Sequence, residues 1–365
     1  MTACSRGDSK RPAGIQSVTL GAIVDNIPRI LAVGTATPPC CFTQEQVLHL
    51  ANYTQPAARK IFLNSDVETR YLFLDPQQFS INEGLDVLQE RYRTGALLLA
   101  RQAAECCLEQ AGRSPEEVHC LLVCSCTGYL CPDLSTLLVK EMGFSRQVQR
   151  GSLMGLGCAG ALPGLQRAYD HARAYPGHDV LLIAVELCSA AYYIDDTLET
   201  IVANAICADG AAACLLSCRG NGPRIVGFAT VLQPEHQELV GFGHREGRLR
   251  VTLAPEIRDL APPIVRAVLD ELLPRRGLQP SDIRHWLLHP GGRKVIDRVQ
   301  EALGLSDRDV ARSRSVLRRY GNMSSPTVLF VLRELLAARA AQPGDRGVLL
   351  ALGPGFAAEA ALLEW

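Results

Sequence analysis

Three residues whose side chains can take part in covalent catalysis stand in short segments rich in glycine and other small residues. Cys158 lies in Gly-Leu-Gly-Cys-Ala-Gly, His289 in His-Pro-Gly-Gly, and Asn322 in Tyr-Gly-Asn-Met-Ser-Ser-Pro. A thiolate is a strong nucleophile, and a neutral amide donates hydrogen bonds without adding a charge. These residue types predict nucleophilic catalysis by the cysteine, with the histidine and the asparagine as candidate partners.

A helix is expected to follow the cysteine. Apolar residues recur on one helical face at Leu162, Leu165, Tyr169 and Ala172. The N–H groups and the positive dipole end of a helix favour thiolate and can serve as an oxyanion hole. Pro163 removes a hydrogen bond from the predicted helix, so the helix should begin late or bend there. The alternative is a cysteine that only packs in the core.

The two candidate partners also stand next to predicted elements. His289 directly follows a short apolar strand, the place where open α/β sheets put active-site groups. Asn322 precedes a predicted helix at 328–338, so it is either an amide donor or a residue that caps this helix. A histidine packed near the core is the alternative for His289. The glycine-rich segment 352–356 leaves the last strand and either lines a pocket or simply turns the chain.

The order of the predicted elements defines the fold class. Helical patterns at 96–111 and 263–273 alternate with short apolar runs that are typical of buried strands, at 119–125, 179–185, 285–288 and 347–352. This alternation predicts an α/β protein with a mainly parallel sheet. A Gly/Asn/Pro cluster at 218–223 suggests two units, 28–220 and 221–365, after a loosely ordered N-terminal arm at 1–27.

Charge and hydropathy exclude several classes of function. The chain of 365 residues has 37 Lys and Arg against 38 Asp and Glu, a net charge of −1. No basic field is therefore available to attract nucleic acid or an anionic membrane. No apolar run is long enough to span a bilayer, and the polar N-terminus lacks the apolar region of a signal peptide. We expect a cytoplasmic protein with neither nucleic acid nor membrane as a partner.

The 14 cysteines raise the question of disulfides or a metal site. Most lie in apolar stretches, where a thiol behaves as a small buried hydrophobic group. Without a secretory signal, reduced thiols are expected. Cys120, Cys124, Cys126 and Cys131 lack the paired spacing of a zinc site, so no metal is predicted.

A nicotinamide-dependent oxidoreductase is the rival hypothesis from another class. Gly155, Gly157 and Gly160 form a G-x-G-x-x-G pattern, and Glu186 ends a later strand where a ribose-binding acid would stand. The run before these glycines is polar and makes a poor buried first strand. A third hypothesis is a thioester-binding scaffold without catalytic activity.

Taken together, the motifs resemble those of the chalcone-synthase-like type III polyketide synthases. Cys158, His289 and Asn322 stand in matching segments, 131 and 33 residues apart, and the final Gly-Pro-Gly-Phe matches as well. Asp-Gly-Ala-Ala-Ala at 209–213 is similar to a further family segment. The resemblance extends from about Arg29 to Trp365, and segments 62–71 and 188–192 look closest to the bacterial dihydroxyphenylacetyl-CoA synthases.

The resemblance implies a thiolase-like fold, in which two similar halves form five αβαβα layers, and a homodimer. It implies that Cys158 accepts the acyl group and that His289 sustains its thiolate. His289 and Asn322 would stabilise the enolate, and the loop Gly353, Pro354, Gly355 would help to hold the tetrahedral intermediate. The substrates would be acyl thioesters of coenzyme A or an acyl carrier protein, with no cofactor.

The sequence also departs from the plant members. The two phenylalanines that guard their substrate passage are matched here by Ala208 and Val251. The lysines that bind the coenzyme A phosphates have no clear match, with Arg59 and Lys60 as possible substitutes. These changes favour long or carrier-bound β-ketoacyl substrates joined into an α-pyrone. The alternative is repeated extension with malonyl-CoA to a resorcinol-like product.

Overall fold

A computed structural model describes residues 26–365, so most of the expected N-terminal arm, residues 1–25, lies outside the described part. The helices are α1 Gln44–Leu50, α2 Pro56–Leu63, α3 Leu85–Ala111, α4 Leu134–Met142, α5 Ala161–Ala174, α6 Leu198–Ile206, α7 Ile257–Leu272, α8 Arg293–Leu303, α9 Asp307–Tyr320 and α10 Thr327–Ala337. The strands are β1 Arg29–Ala36, β2 Cys41–Thr43, β3 Thr69–Tyr71, β4 Val118–Cys124, β5 Gln149–Leu153, β6 Asp179–Leu187, β7 Asp209–Ser217, β8 Arg224–Leu232, β9 Val240–Arg245, β10 Arg248–Leu253, β11 His285–Leu288, β12 Arg346–Gly353 and β13 Ala357–Glu364.

Nine strands form one continuous sheet in the order β11-β12-β13-β8-β1-β7-β6-β4-β5. Its two halves repeat one pattern, because β8, β13, β12 and β11 follow each other as β1, β7, β6 and β4 do. The halves meet at β1 and β8, which pair only at Arg29 and Arg224. This repetition is the internal similarity expected of a thiolase-like fold.

The sheet is mixed, so the expectation of a mainly parallel sheet was wrong. Pairs β4–β5, β4–β6 and β11–β12 are parallel, whereas β6–β7, β1–β7, β12–β13 and β8–β13 are antiparallel. A buried apolar run has the same composition in either direction. Strand direction follows from where the connecting segments return, and hydropathy does not report that.

Helices cover and separate the two halves of the sheet. One core packs α3 and α4 against the outer face of the first half. A central core combines residues of both halves with α5 and α10, and a third packs α7, α8 and α9 on the second half. The order helix, sheet, helix, sheet, helix confirms the αβαβα arrangement.

Within residues 26–365, no helix combines the length and the apolar character needed to cross a membrane. The same residues contain no group of three or more His, Cys, Asp or Glu side chains placed to hold a metal ion.

Candidate active site

Cys158 lies at the junction between the sheet and the central helix layer. It occupies a short 3-10 turn, Gly157–Ala159, that leads directly into α5. Pro163 is the third residue of α5, within the first turn where a missing N–H costs little. The late start that the sequence predicted is therefore confirmed, and the cysteine stands at the N-terminal end of a helix.

The C-terminal glycine-rich loop packs directly against the cysteine turn. Gly157 has a φ of +49°, and a Cβ atom there would lie 2.5 Å from Cδ of Pro354. Only glycine satisfies both the left-handed conformation and this close approach. The segment Gly353–Gly355 is thereby held beside the turn that carries Cys158.

Asn322 is held by the backbone of the segment that follows α6. Its N–H donates to the carbonyl of Ile206 at 2.8 Å, and its carbonyl accepts from the N–H of Ala208 at 2.9 Å. The side-chain oxygen accepts from the N–H of Ser324 at 2.8 Å. Because this bond requires an oxygen, the amide nitrogen must point the other way. That nitrogen lies 4.0 Å from Sγ of Cys158.

His289 follows β11, and its N–H donates to the carbonyl of Leu350 at 2.7 Å, which continues the parallel pairing of β11 with β12. The side chain is buried, yet neither ring nitrogen has a hydrogen-bond partner among the described residues. Buried polar atoms are normally satisfied, and exceptions call for an explanation. A buried imidazole without a partner keeps its hydrogen-bonding capacity for a bound ligand.

Burial shifts the pKa values of Cys158 and His289 in opposite directions. Desolvation raises the pKa of the Cys158 thiol to about 12, although hydrogen bonds from Ser324 and Asn322 oppose the shift. Desolvation also lowers the pKa of the His289 imidazole to about 4. Burial of these two side chains therefore disfavours both the thiolate and the imidazolium.

Two small cavities meet at the nucleophile. Each has a volume of about 60 Å³, and both are lined by Cys158 and Asn322. His289 lines one of them, and Pro354 lines the other. The structure thus brings together the three residues that the sequence singled out for chemistry.

The passage is lined differently from the sequence expectation. Val251 lines the cavity as predicted, but Ala208 is fully buried in the central core and does not reach the wall. Its neighbour Cys207 occupies the wall instead. The segment is extended here, so successive side chains point to opposite faces and a shift by one residue moves a side chain from cavity to core. The assignment of Ala208 to the passage was therefore wrong by one residue.

Arg59 and Lys60, the residues expected to contact the coenzyme A phosphates, lie on α2. A groove of about 250 Å³ opens between α2, α7 and α8. It shares Leu253 with both cavities and Gly291 with the cavity that His289 lines. Neither Arg59 nor Lys60 lines this groove, and Arg59 is exposed and paired with Glu45. Its cationic lining comes from Arg258, Arg293 and Lys294. The sequence analysis missed these residues, although two of them directly follow the His-Pro-Gly-Gly motif.

Glu186 does not bind a ribose. It is fully buried, and its carboxylate accepts from the N–H groups of Cys126 and Thr127 and from the hydroxyl of Ser325. The strand before the glycines, β5, is an exposed edge strand rather than the buried first strand of a dinucleotide site. The nicotinamide hypothesis is therefore rejected.

Comparison with known proteins gives close relatives over nearly the whole chain. The chain is 36% identical over 351 residues to a 3,5-dihydroxyphenylacetyl-CoA synthase of Streptomyces toyocaensis, covering 93% of this chain and 90% of the relative. It is 34% identical to a 1,3,6,8-tetrahydroxynaphthalene synthase of Streptomyces peucetius subsp. caesius, covering 94% of each. The crystal structure of the Streptomyces coelicolor A3(2) tetrahydroxynaphthalene synthase matches with a TM-score of 0.85 and 28% identity, over 92% of this chain and 99% of that one.

The fold and its relatives define an acyltransferase of the ketosynthase type. The N-terminal domain of the chalcone and stilbene synthases matches residues 22–220, and their C-terminal domain matches residues 226–364. The chain belongs to the chalcone and stilbene synthase family. It is a type III polyketide synthase, an enzyme class that joins acyl units by Claisen condensation.

Proposed function

We propose that the chain condenses coenzyme A thioesters through an acyl group held on Cys158. The observation that carries this proposal is the convergence of Cys158, Asn322 and the unpartnered imidazole of His289 on two small cavities joined to a cationic groove. Thiol, imidazole and amide are the groups that thioester exchange and enolate formation require.

The proposed reaction begins with loading. As the Cys158 sulfur attacks the thioester carbonyl, its proton passes to His289, and the coenzyme A thiol leaves with that proton. Backbone N–H groups of the cysteine turn and of the loop Gly353–Gly355 hold the tetrahedral oxyanion. A malonyl thioester then loses carbon dioxide, and the oxygen of the enolate that remains accepts hydrogen bonds from Asn322 and His289. The enolate carbon attacks the acyl-cysteine, forms the new carbon–carbon bond and expels the Cys158 sulfur as a thiolate.

The groove favours coenzyme A as the carrier. Arg258, Arg293 and Lys294 offer positive charge where a pantetheine arm reaching Cys158 would leave the protein. Phosphates bind to such clusters by charge-assisted hydrogen bonds.

The dihydroxyphenylacetyl-CoA synthase relative supports a resorcinol-like product from repeated malonyl-CoA extension. A carrier protein that delivers long β-ketoacyl chains, giving an α-pyrone, is the second candidate, which the small wall residues Cys207 and Val251 support.

Charge reversal at the groove tests the choice of carrier. We expect the double variant Arg293→Glu/Lys294→Glu to raise KM for acyl-CoA by roughly 10–100-fold, about 1.4–2.8 kcal/mol of lost phosphate binding, with a smaller change in kcat. Loading of Cys158 is followed by intact-protein mass with matched acyl-CoA and acyl-pantetheine donors. Acyl-pantetheine lacks the nucleotide phosphates, so its KM should change little.

Arg276→Glu is the matched control, because this exposed arginine lies beyond the far end of α7 from Arg258. An equal rise of KM for both donors would contradict a phosphate-binding role. Faster loading from an acyl carrier protein than from acyl-CoA in the unaltered chain would instead favour the second candidate.

The corrected passage residue gives a second prediction. Cys207→Phe places a large side chain in the cavity wall and should slow loading of long acyl chains by about tenfold or more, while acetyl loading is nearly preserved. The same substitution one residue later, Ala208→Phe, should overpack the core and cost about 1–3 kcal/mol of unfolding free energy. Chain-length profiles and thermal melts of both variants check this. Similar chain-length profiles for both variants would contradict the assignment of Cys207 to the wall.

We also propose that the chain works as a homodimer without a cofactor. Strand β5 ends the nine-stranded sheet, and its outer edge has no partner strand within residues 26–365. Next to it, Met154 and Tyr129 are exposed large apolar side chains. An open edge beside exposed apolar groups favours pairing with a second copy. Sedimentation analysis gives the stoichiometry, and turnover after exhaustive chelation and dialysis checks cofactor independence.

A cytoplasmic location is part of the same proposal. The cysteines within residues 26–365 form no disulfide with one another, which suits a reducing compartment. Immunodetection in fractionated cells would test this placement, and recovery in the extracytoplasmic fraction would contradict it.

A further inference from the structure

Two cysteines other than the nucleophile stand together in the wall of the active-site cavity. Cys188 and Cys207 both line the cavity that contains Cys158, and the two thiols lie close enough to shift each other's pKa. The mechanism above assigns no chemistry to either thiol. Two neighbouring thiols in the wall of one cavity have the composition of a disulfide-forming site.

The sheet holds this pair in place. Cys188 directly follows β6, and Cys207 lies just before β7, whose last pairing with β6 joins Leu187 to Asp209. The Asp209 carboxylate accepts from the Ser189 N–H at 2.8 Å and from the Ser189 hydroxyl at 2.6 Å. This carboxylate fixes the residue after Cys188 to the segment that carries Cys207. Neighbouring strand ends lie within the spacing that a disulfide requires.

A buried cation distinguishes the two thiols. Arg70 is fully buried, has no ion-pair partner among the described residues, and donates to the carbonyl of Cys207 at 2.8 Å. The neighbouring Cys188 thiol and the nearby Arg70 charge lower the pKa of Cys207. The Cys207 thiol and burial raise the pKa of Cys188. The guanidinium held at the backbone of Cys207 therefore favours this residue as the nucleophilic member of the pair.

We propose that Cys188 and Cys207 form a disulfide when the enzyme meets a peroxide, and that this bond restricts the passage to Cys158. The Cys207 sulfur attacks a peroxide oxygen and becomes a sulfenic acid, and for hydrogen peroxide one water is released. The Cys188 sulfur then displaces the sulfenic hydroxyl as a second water, and the S–S bond forms. Two thiols lose two protons and two electrons, and the peroxide is reduced to two waters.

The consequence for catalysis follows from the position of the bond. A disulfide fixes its two sulfur atoms about 2.05 Å apart and joins the ends of β6 and β7 in the cavity wall. A wall fixed in this way cannot yield to a bulky acyl chain, so loading of long chains should fall more than loading of acetyl. This consequence rests on the proposed function, whereas formation of the bond does not.

The bond is tested first in the Cys158→Ala variant, in which the nucleophile cannot be oxidised. After mild hydrogen peroxide treatment, proteolysis without reductant and mass spectrometry should give a cross-linked peptide containing residues 188 and 207. Adding Cys188→Ser should abolish this peptide and leave Cys207 as sulfenic or sulfinic acid. Absence of the cross-link, while peroxide oxidises Cys207 alone, would overturn the proposal whatever the enzyme's substrates are.

The effect on catalysis is measured with Cys158 intact. We expect peroxide to reduce long-chain loading at least about tenfold and dithiothreitol to restore it. The Cys188→Ser variant is compared with its own reduced form. In this variant, the part of the inhibition that dithiothreitol reverses should be absent. If dithiothreitol reverses as much inhibition in Cys188→Ser as in the unaltered chain, the inhibition comes from oxidation of Cys158. That result would overturn the proposal that the disulfide restricts loading. If no variant loads any acyl donor, the proposed function fails while the cross-link result still stands by itself.

Discussion

Replacement of Cys158 by alanine is expected to abolish acyl transfer to the protein and to lower product formation by a factor on the order of 10⁴ or more. Losses of this size are typical when the nucleophile of a covalent mechanism is removed. The rest of the site should persist, because the turn Gly157–Ala159 is held by glycine conformation and by packing against Pro354. Intact-protein mass after incubation with acyl donors measures the loading step directly.

The matched control is Cys106→Ala, which removes a partly exposed thiol from α3 without touching the cavities. This variant should gain the mass of one acyl group as the unaltered chain does. An acyl-sized mass gain on Cys158→Ala, mapped to any other residue, would contradict the assignment of the nucleophile. Loss of loading in both variants would point to a general loss of structure, which a thermal melt detects.

The sequence locates the reacting groups well, because each one stands in a local motif. Gly157 is required by its own φ angle and by Pro354, and this local constraint leaves a recognisable glycine pattern around Cys158. His289 similarly occupies the end of a strand that its apolar run already indicates. The five-layered architecture followed from the family resemblance, while the bounds of β11, at His285–Leu288, followed from hydropathy alone.

Features that depend on the direction in which a side chain points were harder to predict from the sequence. Cys207 and Ala208 are adjacent small residues, and only the pairing of this segment with Asn322 decides which one faces the cavity. Arg293 and Lys294 look like ordinary surface residues until α8 is placed at the mouth of the groove. The prediction of strand direction was wrong for a related reason, because direction is set by the return path of the chain rather than by composition.

Asn322→Ala is expected to slow condensation by about 10²–10³-fold while loading of Cys158 falls less than about tenfold. Removal of a single oxyanion donor typically costs this much, because the lost hydrogen bond is strongest when charge develops on the substrate oxygen. The amide nitrogen of Asn322 is aimed at the space beside Sγ of Cys158 by the bond from Ser324 to its oxygen. Loading uses the backbone N–H groups near Cys158, so it should depend much less on this amide.

Asn322→Asp provides the matched variant, since it keeps the size of the side chain and the acceptor for the Ser324 N–H but removes the donor. If the donor matters, both variants should show slow condensation and near-normal loading, with the aspartate at least as slow because its charge opposes an enolate. Single-turnover measurements separate the two steps: acyl-enzyme mass reports loading, and its decay with the second thioester reports condensation. Normal condensation in Asn322→Asp would mean that the asparagine acts only as a support for Ser324. Equal losses in loading and condensation would instead mean that Asn322 supports the structure of the whole site. A donor that acts only on the enolate cannot slow the acyl transfer that precedes condensation.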